Sequence, residues 1–242
     1  MNRMSILPNF CSTLPRNFST SLSSAVSAFT ASTSFPSAPK RKQTVSWREF
    51  IRSHRDVLVG MDFFTAEVRT FQGLLTYYVL FFIHLETRRV SLVGFTPYPD
   101  HDWMEQQARN LTMEQRGCLR GCRYLLHDRD TKFCESFREL IESGSVKAIR
   151  LPARSPNLNS YAERWVRSVK EECLAKLILV GELSLRRALQ QYLLHYHEER
   201  NHQGKENRIL FPFQTEARRD MGAVQCRERL GGLLKYYERE AA

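Results

Sequence analysis

From Trp47 onward the chain alternates between apolar runs and amphipathic stretches. The run "VLVGMDFF" (57–64) is apolar at every position except Asp62, the pattern of a central strand covered on both faces. "TYYVLFFIHLE" (76–86) and "RRVSLVGFT" (88–96) meet at a polar "TRR" turn region and predict two more strands of an antiparallel meander. "HDWMEQQARNLTMEQ" (101–115) predicts a helix with Asp100 as its cap. The strand "RYLLHD" (123–128) follows, then a helix with Phe133, Phe137, Leu140 and Ile141 on one face, closed by Gly144. "VKAIRLPA" (146–153) predicts a fifth strand, and "RSPNLNSY" (154–161) a loop. One helix then carries Trp165, Val166, Val169, Cys173 and Leu177 on a single face. A second carries Leu185, Ala188, Leu189, Tyr192, Leu193 and Tyr196 at three-four spacing. Three strands, a helix, a strand, a helix, a strand and more helices predict a mixed α/β layered domain without internal repeats.

Residues 1–43 break this pattern. They are rich in Ser, Thr, Ala and Pro, and the first acidic residue of the chain is Glu49. Such a composition builds no packed core and predicts a disordered or linker-like basic segment. It also matches an organellar transit peptide in composition, but a linker or upstream extension is the preferred reading. The domain division expected is therefore 1–43 as linker, 44–215 as the folded core and 216–242 as a C-terminal helical tail.

Charge narrows the class of partner. The 242 residues hold 36 Lys and Arg against 26 Asp and Glu, a formal net charge of +10. A balance of this kind favours polyanions, nucleic acid before acidic membrane surfaces. No uninterrupted apolar stretch approaches the ~18 residues of a membrane span, so no membrane partner is expected. The six cysteines are too dispersed for a disulfide scaffold and suit a reducing compartment. Cys118, Cys122 and His127 suggest zinc, but no fourth ligand stands at a recognisable spacing.

The chemistry lies in three acids. Side chains alternate along a strand, so Tyr124, Leu126 and Asp128 share one face, and Asp130 would share it if the strand continued. Asp62 occupies a similar place, an acid ending an apolar strand core. A buried charge is costly unless paired or bound to a cation. Two such acids on neighbouring strands repel one another, which a divalent metal relieves, and oxygen-only donors favour Mg²⁺ or Mn²⁺. The third acid is Glu163, in the first turn of the helix after the loop. There it also suits the helix dipole, but Arg167 and Lys170 lie four and seven residues on and share its face.

With "GMDFFT" (60–65), "HDRDTKF" (127–133), "SPNLNSYAERWVRSVKEE" (155–172) and "HYHEERNHQGKENRILFP" (195–212), residues 45–215 resemble a known family. It is the retroviral-integrase-like catalytic core of bacterial insertion-sequence transposases, the D,D,E polynucleotidyl transferases. Asp128 and Glu163 stand 35 positions apart, within that family's narrow range. The resemblance implies an RNase H-like fold: a five-stranded mixed sheet flanked by helices, strands 1–3 antiparallel, strands 4 and 5 parallel to strand 1. It implies Asp62, Asp128 and Glu163 as catalytic metal ligands for Mg²⁺ or Mn²⁺, two ions in all. Asp130 then takes the place usually held by a turn-forming Gly and could assist or substitute for Asp128.

The activity implied is metal-dependent cleavage of DNA strands and transfer of the freed 3′-hydroxyl into target DNA, with no protein nucleophile. Ser155, Ser160 and Tyr161 are accordingly not assigned that role. Arg154, Asn157, Arg167 and Lys170 are expected on the DNA backbone, and Arg200 and His202, which match the family's Arg-x-His element, are counted with the DNA-binding residues. His195, His197 and His202 are read as surface and core contacts rather than a second metal site. Double-stranded DNA, a homo-oligomer that pairs two DNA ends, and a bacterial cytoplasmic, nucleoid-associated setting are implied as well. Two alternatives remain: a hydrolytic RNase H-like nuclease, and a truncated DNA-binding remnant, since residues 1–43 show no helix-turn-helix pattern of the kind that usually precedes the family's core.

Overall fold

Strand β1 (Leu58–Thr70) pairs antiparallel with β2 (Gly73–His84) in one register from Val59↔His84 to Thr70↔Gly73. β3 (Val90–Thr96) adds to the outer edge of β2. On the other side of β1, β4 (Tyr124–His127) and then β5 (Lys147–Arg150) run parallel to it. The order β3-β2-β1-β4-β5, with three antiparallel strands followed by two parallel to the first, is the RNase H-like integrase sheet that the resemblance implies. The computed structural model describes residues 46–113, 119, 121–152, 159–212 and 223–239.

β1 runs six residues past the end of the apolar run that predicts it. Ala66 and Val68 keep alternating inward while Thr65, Glu67 and Arg69 face solvent, so the pairing with β2 continues to the turn. That alternation also divides the core in two. Val59 and Met61 pack with Met104 and Ala108 of α2 (His101–Thr112) and with Phe137 and Ile141 of α3 (Glu135–Ser143). Phe64, Ala66 and Val68 pack on the opposite face with Trp165 and Val169 of α4 (Ser160–Glu172) and Leu185 and Leu189 of α5 (Gly181–Glu198). Trp165 is the keystone of the second layer, its ring centroid 4.4 Å from that of Phe81 and 5.6 Å from that of Phe64. Truncating a buried Trp of this kind typically costs ~3–5 kcal/mol.

The helix ends largely follow the sequence signals. Asp100 caps α2, its Oδ1 accepting from the Trp103 amide at 2.9 Å. Gly144 closes α3, but for a different reason from the one expected of a cap. Its φ is −83°, and a side chain there would meet Thr112 Cγ2 at 2.6 Å, so α2 and α3 approach too closely for a Cβ. The left-handed residue of this turn is Ser145 (φ 65°).

The chain divides into two units, residues 1–53 and 54–242. The described part of the first is α1 (Trp47–Ser53) with Ser46, whose Oγ accepts from the Glu49 amide. In the second, β6 (Asn201–His202) and β7 (Arg208–Ile209) form a small ribbon after α5.

The helical tail expected over 216–242 is not what forms. Its described residues fold into an antiparallel hairpin of β8 (Val224–Arg229) and β9 (Leu234–Arg239). Leu230, Gly231 and Gly232 all have positive φ in the turn, which a helix could not use. Side chains at 225, 227, 229, 234, 236 and 238 share one face, and that face carries Arg229 and the buried Leu234. Arg229 reaches Glu199, which is 3% exposed, donating through Nη2 at 2.7 Å and through Nε at 3.0 Å. Burial pushes the Glu199 carboxyl up, yet the hydrogen bonds from Arg229 and His195 outweigh it and hold the group below its ordinary range. The hairpin is thereby fastened to the end of α5.

The three histidines of this region have separate partners. His195 Nδ1 bonds Glu199, His202 Nε2 bonds the Tyr196 carbonyl, and His197 Nε2 accepts from the Val90 amide at 3.0 Å. Burial, reinforced by the charges of Arg89 and His202, pushes His197 down to about 3, so the ring is neutral.

Candidate active site

The parallel register of β1 and β4 aligns Gly60 with Leu126. Two residues further along each chain stand Asp62 and Asp128, at the end of β4 and on the side of the sheet that α4 covers. Asp62 belongs to the same strand face as Phe64, which packs on Trp165. The two acids therefore meet where the apolar run of each strand gives out, with α4 beginning above them.

Asp62 is half-buried and bonded at both oxygens. Oδ1 accepts from the Phe63 amide at 2.8 Å, and Oδ2 accepts from Asn159 Nδ2 at 3.2 Å. Burial is the main reason its carboxyl is pushed up to about 6. The Phe63 amide opposes that shift, while the negative charges of Asp128, Glu163 and Asp130 add to it. The four acids thus share one electrostatic neighbourhood, and Asp62 bears the cost of it.

Asn159 is the residue that sequence reasoning missed. It stands at the N-cap of α4 yet makes no capping bond with its side chain. A capping bond is commonly worth ~1 kcal/mol, and here the amide is used on Asp62 instead. Only 7% of Asn159 is exposed, and a Cβ on Gly60 would come within 2.8 Å of its Oδ1. Gly60 leaves the space in which Asn159 reaches Asp62. The available signal was its spacing, one helical turn before Glu163.

Asp128 and Asp130 are distinguished by their partners. β4 ends at His127, so the strand alternation does not extend to Asp130 as expected. Instead Asp128 Oδ1 accepts from the Asp130 amide at 3.0 Å and closes a turn. Asp130 gives both oxygens to Lys132, one to its amide at 3.0 Å and one to its ammonium at 2.8 Å. Burial raises the Asp130 carboxyl, but those bonds outweigh it and hold the group down. Asp128 Oδ2 makes no hydrogen bond among the described residues. His127 supports the turn, its Nδ1 lying 2.7 Å from the Asp128 carbonyl and its ring against Phe133.

Glu163 lies in the first turn of α4 and is exposed. Arg167 and Lys170 are exposed along the same stripe, opposite the buried Ala162, Trp165 and Val169. Arg154 and Asn157 lie outside the described residues. Arg200 is engaged within the protein: Nε and Nη2 both bond the carboxylate of Glu172, at 3.0 and 2.6 Å. His202 is buried and bonded to the Tyr196 carbonyl. Of the zinc candidates, Cys118 is outside the described residues, and burial pushes the Cys122 thiol up to about 11. That disfavours the thiolate a zinc ion needs.

The donor set is all carboxylate, the chemistry of a hard divalent ion rather than zinc or copper. Among the described residues, however, no three His, Cys, Asp or Glu side chains stand close enough together to cage an ion. Asp62 and Asp128 each lie two residues beyond the Gly60–Leu126 pair, and the charges of Asp128 and of Glu163 on the helix both act on Asp62.

The sheet order and its flanking helices are those of an RNase H-like fold. Residues 145–208, which include Glu163, match the family model described as "Integrase core domain". Three solved structures are similar in part. The catalytic core domain of BIV integrase is 15% identical, with 62% of this chain and 88% of that one covered, at a TM-score of 0.45. The HTLV-2 integrase catalytic core domain, in complex with magnesium in a trimeric form, is 10% identical, with 64% and 93% covered, at 0.46. A chain of the simian T-cell lymphotropic virus intasome in complex with PP2A regulatory subunit B56 gamma is 11% identical, with 75% and 66% covered, at 0.45. No curated protein matches by sequence. Among the described residues, no helix is long and apolar enough to cross a membrane.

Proposed function

We propose that this chain is the catalytic core of a D,D,E transposase or integrase, cutting DNA strands and joining the freed 3′ ends to target DNA. The observation that carries the reading is the placing of Asp62 and Asp128 two residues beyond the Gly60–Leu126 pair of β1 and β4, with Glu163 on the helix close enough for its charge to act on Asp62. Asp62 and Asp128 would hold the divalent ions, Mg²⁺ or Mn²⁺ and two in number, and Glu163 would complete the set. Bound there, such ions activate a water or 3′-hydroxyl nucleophile and stabilise the departing oxygen. The chain's own residues prepare that chemistry. Asn159 holds Asp62 in orientation, and the turn at Asp128 and Asp130 fixes Asp128 with one oxygen free of hydrogen bonds among the described residues.

Arg167 and Lys170 neutralise phosphates beside Glu163 and so place the scissile bond in line. Arg154 and Asn157, which precede this helix in the sequence, are assigned to the same backbone. Arg200 fastens the end of α5 to α4 through Glu172, and His202 holds the strand that follows to α5 through the Tyr196 carbonyl. Tyr161 hydroxyl is occupied by Arg55, which suits a mechanism without a protein nucleophile. A multimer on DNA follows from the need to pair two ends. The working core is residues 44–215, and the hairpin fastened by Arg229 adds to it.

The test is a cutting and joining assay on labelled duplexes with Mg²⁺ or Mn²⁺, comparing wild type with Asp128→Asn and Asp130→Asn. Joined product from wild type and Asp130→Asn, absent with Asp128→Asn, is expected. Cutting without joining would support a hydrolytic nuclease instead. Binding with neither step on any end sequence would support a non-catalytic remnant.

A further inference from the structure

The β2–β3 turn holds an arginine in an unusual state. Arg88 has φ 61°, a left-handed conformation that a side chain other than Gly, Asn or Asp seldom adopts. Its guanidinium lies 3.8 Å from the ring centroid of Tyr161, flat-stacking distance for a cation on an aromatic face. Arg88 Nε is buried and has no hydrogen-bond partner, and no carboxylate pairs with Arg88 among the described residues. Strain of this kind persists where the surrounding structure holds a residue in place for a ligand.

The neighbours of Arg88 are also cationic. Arg55 donates through Nη2 to the Tyr161 hydroxyl at 3.0 Å, and its Nε, buried without a hydrogen bond, lies 3.6 Å from Glu86 Oε2. Burial, joined by the charges of Arg55 and Arg164, pushes the Arg88 guanidinium down from its ordinary value. Lys205 reaches the same turn, bonding the Glu86 carbonyl at 2.9 Å. The acid closest to the group is Glu86, which is 3.6 Å from Arg55. Arg164 is exposed and next to Glu163, about 100° around α4 from it. This group therefore carries the basic surface of α4 around the helix, away from Arg167 and Lys170.

We infer that Arg55 and Arg88, gathered on Tyr161, form with the neighbouring Arg164 a second seat for a DNA backbone phosphate, outside the carboxylate site. Guanidinium groups present planar donors that match phosphate oxygens, and stacking on an aromatic ring fixes the plane of Arg88 without using those donors. A phosphate would supply the acceptor that Arg88 lacks among the described residues and relieve the mutual repulsion of the group. The seat would hold the duplex on the far side of the α4 N-terminus and so set the angle at which a strand crosses Asp62 and Asp128. The inference rests on the proposed reading of this chain as a DNA-processing core.

The test is the salt dependence of duplex binding by the full chain, read by fluorescence anisotropy in chelator so that catalysis plays no part. Arg88→Gly removes the guanidinium and suits the positive φ, so its Tm should be unchanged or higher. One lost phosphate contact should flatten the slope of log K against log salt by about 0.9 and weaken binding about eightfold near ~0.1 M salt. Arg164→Gln, at an exposed position, should flatten it similarly, and Arg88→Lys should keep most of the slope. If Arg88→Gly is folded and its slope equals that of wild type, Arg88 is merely structural and the inference is overturned. If Arg88→Gly does not fold, the slope of Arg164→Gln decides the matter in the same way. If wild type itself does not bind duplex DNA, the proposed function fails first and the seat with it.

Discussion

Replacing Asp62 with Asn should make the metal-free protein more stable. The Asp62 carboxyl is pushed up to about 6, from 3.8, chiefly by burial and further by Asp128, Glu163 and Asp130. A raised acid binds its proton more tightly in the folded state than in the unfolded one. Its effect on stability is therefore absent below about pH 4, grows as pH rises towards 6, and is a constant penalty above that. The gap between 3.8 and about 6, at roughly 1.4 kcal/mol per pH unit, sets that penalty at ~3 kcal/mol. Asn keeps an oxygen for the Phe63 amide and can meet a rotated Asn159 amide, so neither polar partner need be abandoned.

For a domain of this size ~3 kcal/mol corresponds to about 6–12 °C in Tm. The assay is thermal unfolding of wild type and Asp62→Asn in chelator at about pH 7.5 and at about pH 4, the limits set by the linkage. Subtracting one protein from the other at each pH cancels every titration they share. The difference should be large at the higher pH and close to zero at the lower one. Added Mg²⁺ should then raise the wild type alone, since a ligand stabilises the form that binds it. Equal stability of the two proteins at the higher pH, or a difference that persists at pH ~4, would refute the assignment of Asp62 as a destabilised site carboxylate.

Asn159→Ala removes the donor to Asp62 Oδ2 and should weaken Mg²⁺ affinity, measured by titration calorimetry, by roughly 10–100-fold; unchanged affinity would make Asn159 a packing residue only. Arg229→Ala leaves the buried Glu199 with His195 and the more distant Arg227 at 3.7 Å, a loss of up to ~3–5 kcal/mol, and faster amide exchange confined to 224–239 is the expected readout. Exchange as slow as wild type there would mean that the hairpin is held by something else. His197, pushed down to about 3, contributes stability that is complete above pH 6.5 and is lost as pH falls below it. Urea unfolding should show a loss approaching ~1.4 kcal/mol per pH unit from this group, and His197→Gln, which keeps an acceptor for the Val90 amide, should flatten that slope. A slope unaffected by the substitution would remove His197 as its source.

What the sequence discloses and what it hides follow a physical division. Strand alternation is a local property, so β1 to β5 and both core faces could be read from apolar spacing. Asp62 and Asp128 were visible for the same reason, each a charge interrupting an apolar strand run. Their alignment was not, because register depends on which strands pair and in which direction. The fate of Asp130 turned on a single residue of strand length, for one more residue of β4 would have left the strand alternation running towards it. Asn159 and Arg88 were hidden more deeply. The first acts on a residue 97 positions away, and the second is distinguished only by a backbone angle and a stacked ring. The tail was misread because "VQCRERLGGLLKYYERE" has the charge density of a surface helix, while its Gly-Gly turn and two-residue period specify a hairpin. A shared rule connects these cases. Positions that satisfy a local pattern report the fold, whereas the polar groups that violate it, Asp62 with its raised carboxyl and Arg88 with no carboxylate partner among the described residues, mark where the protein awaits something else.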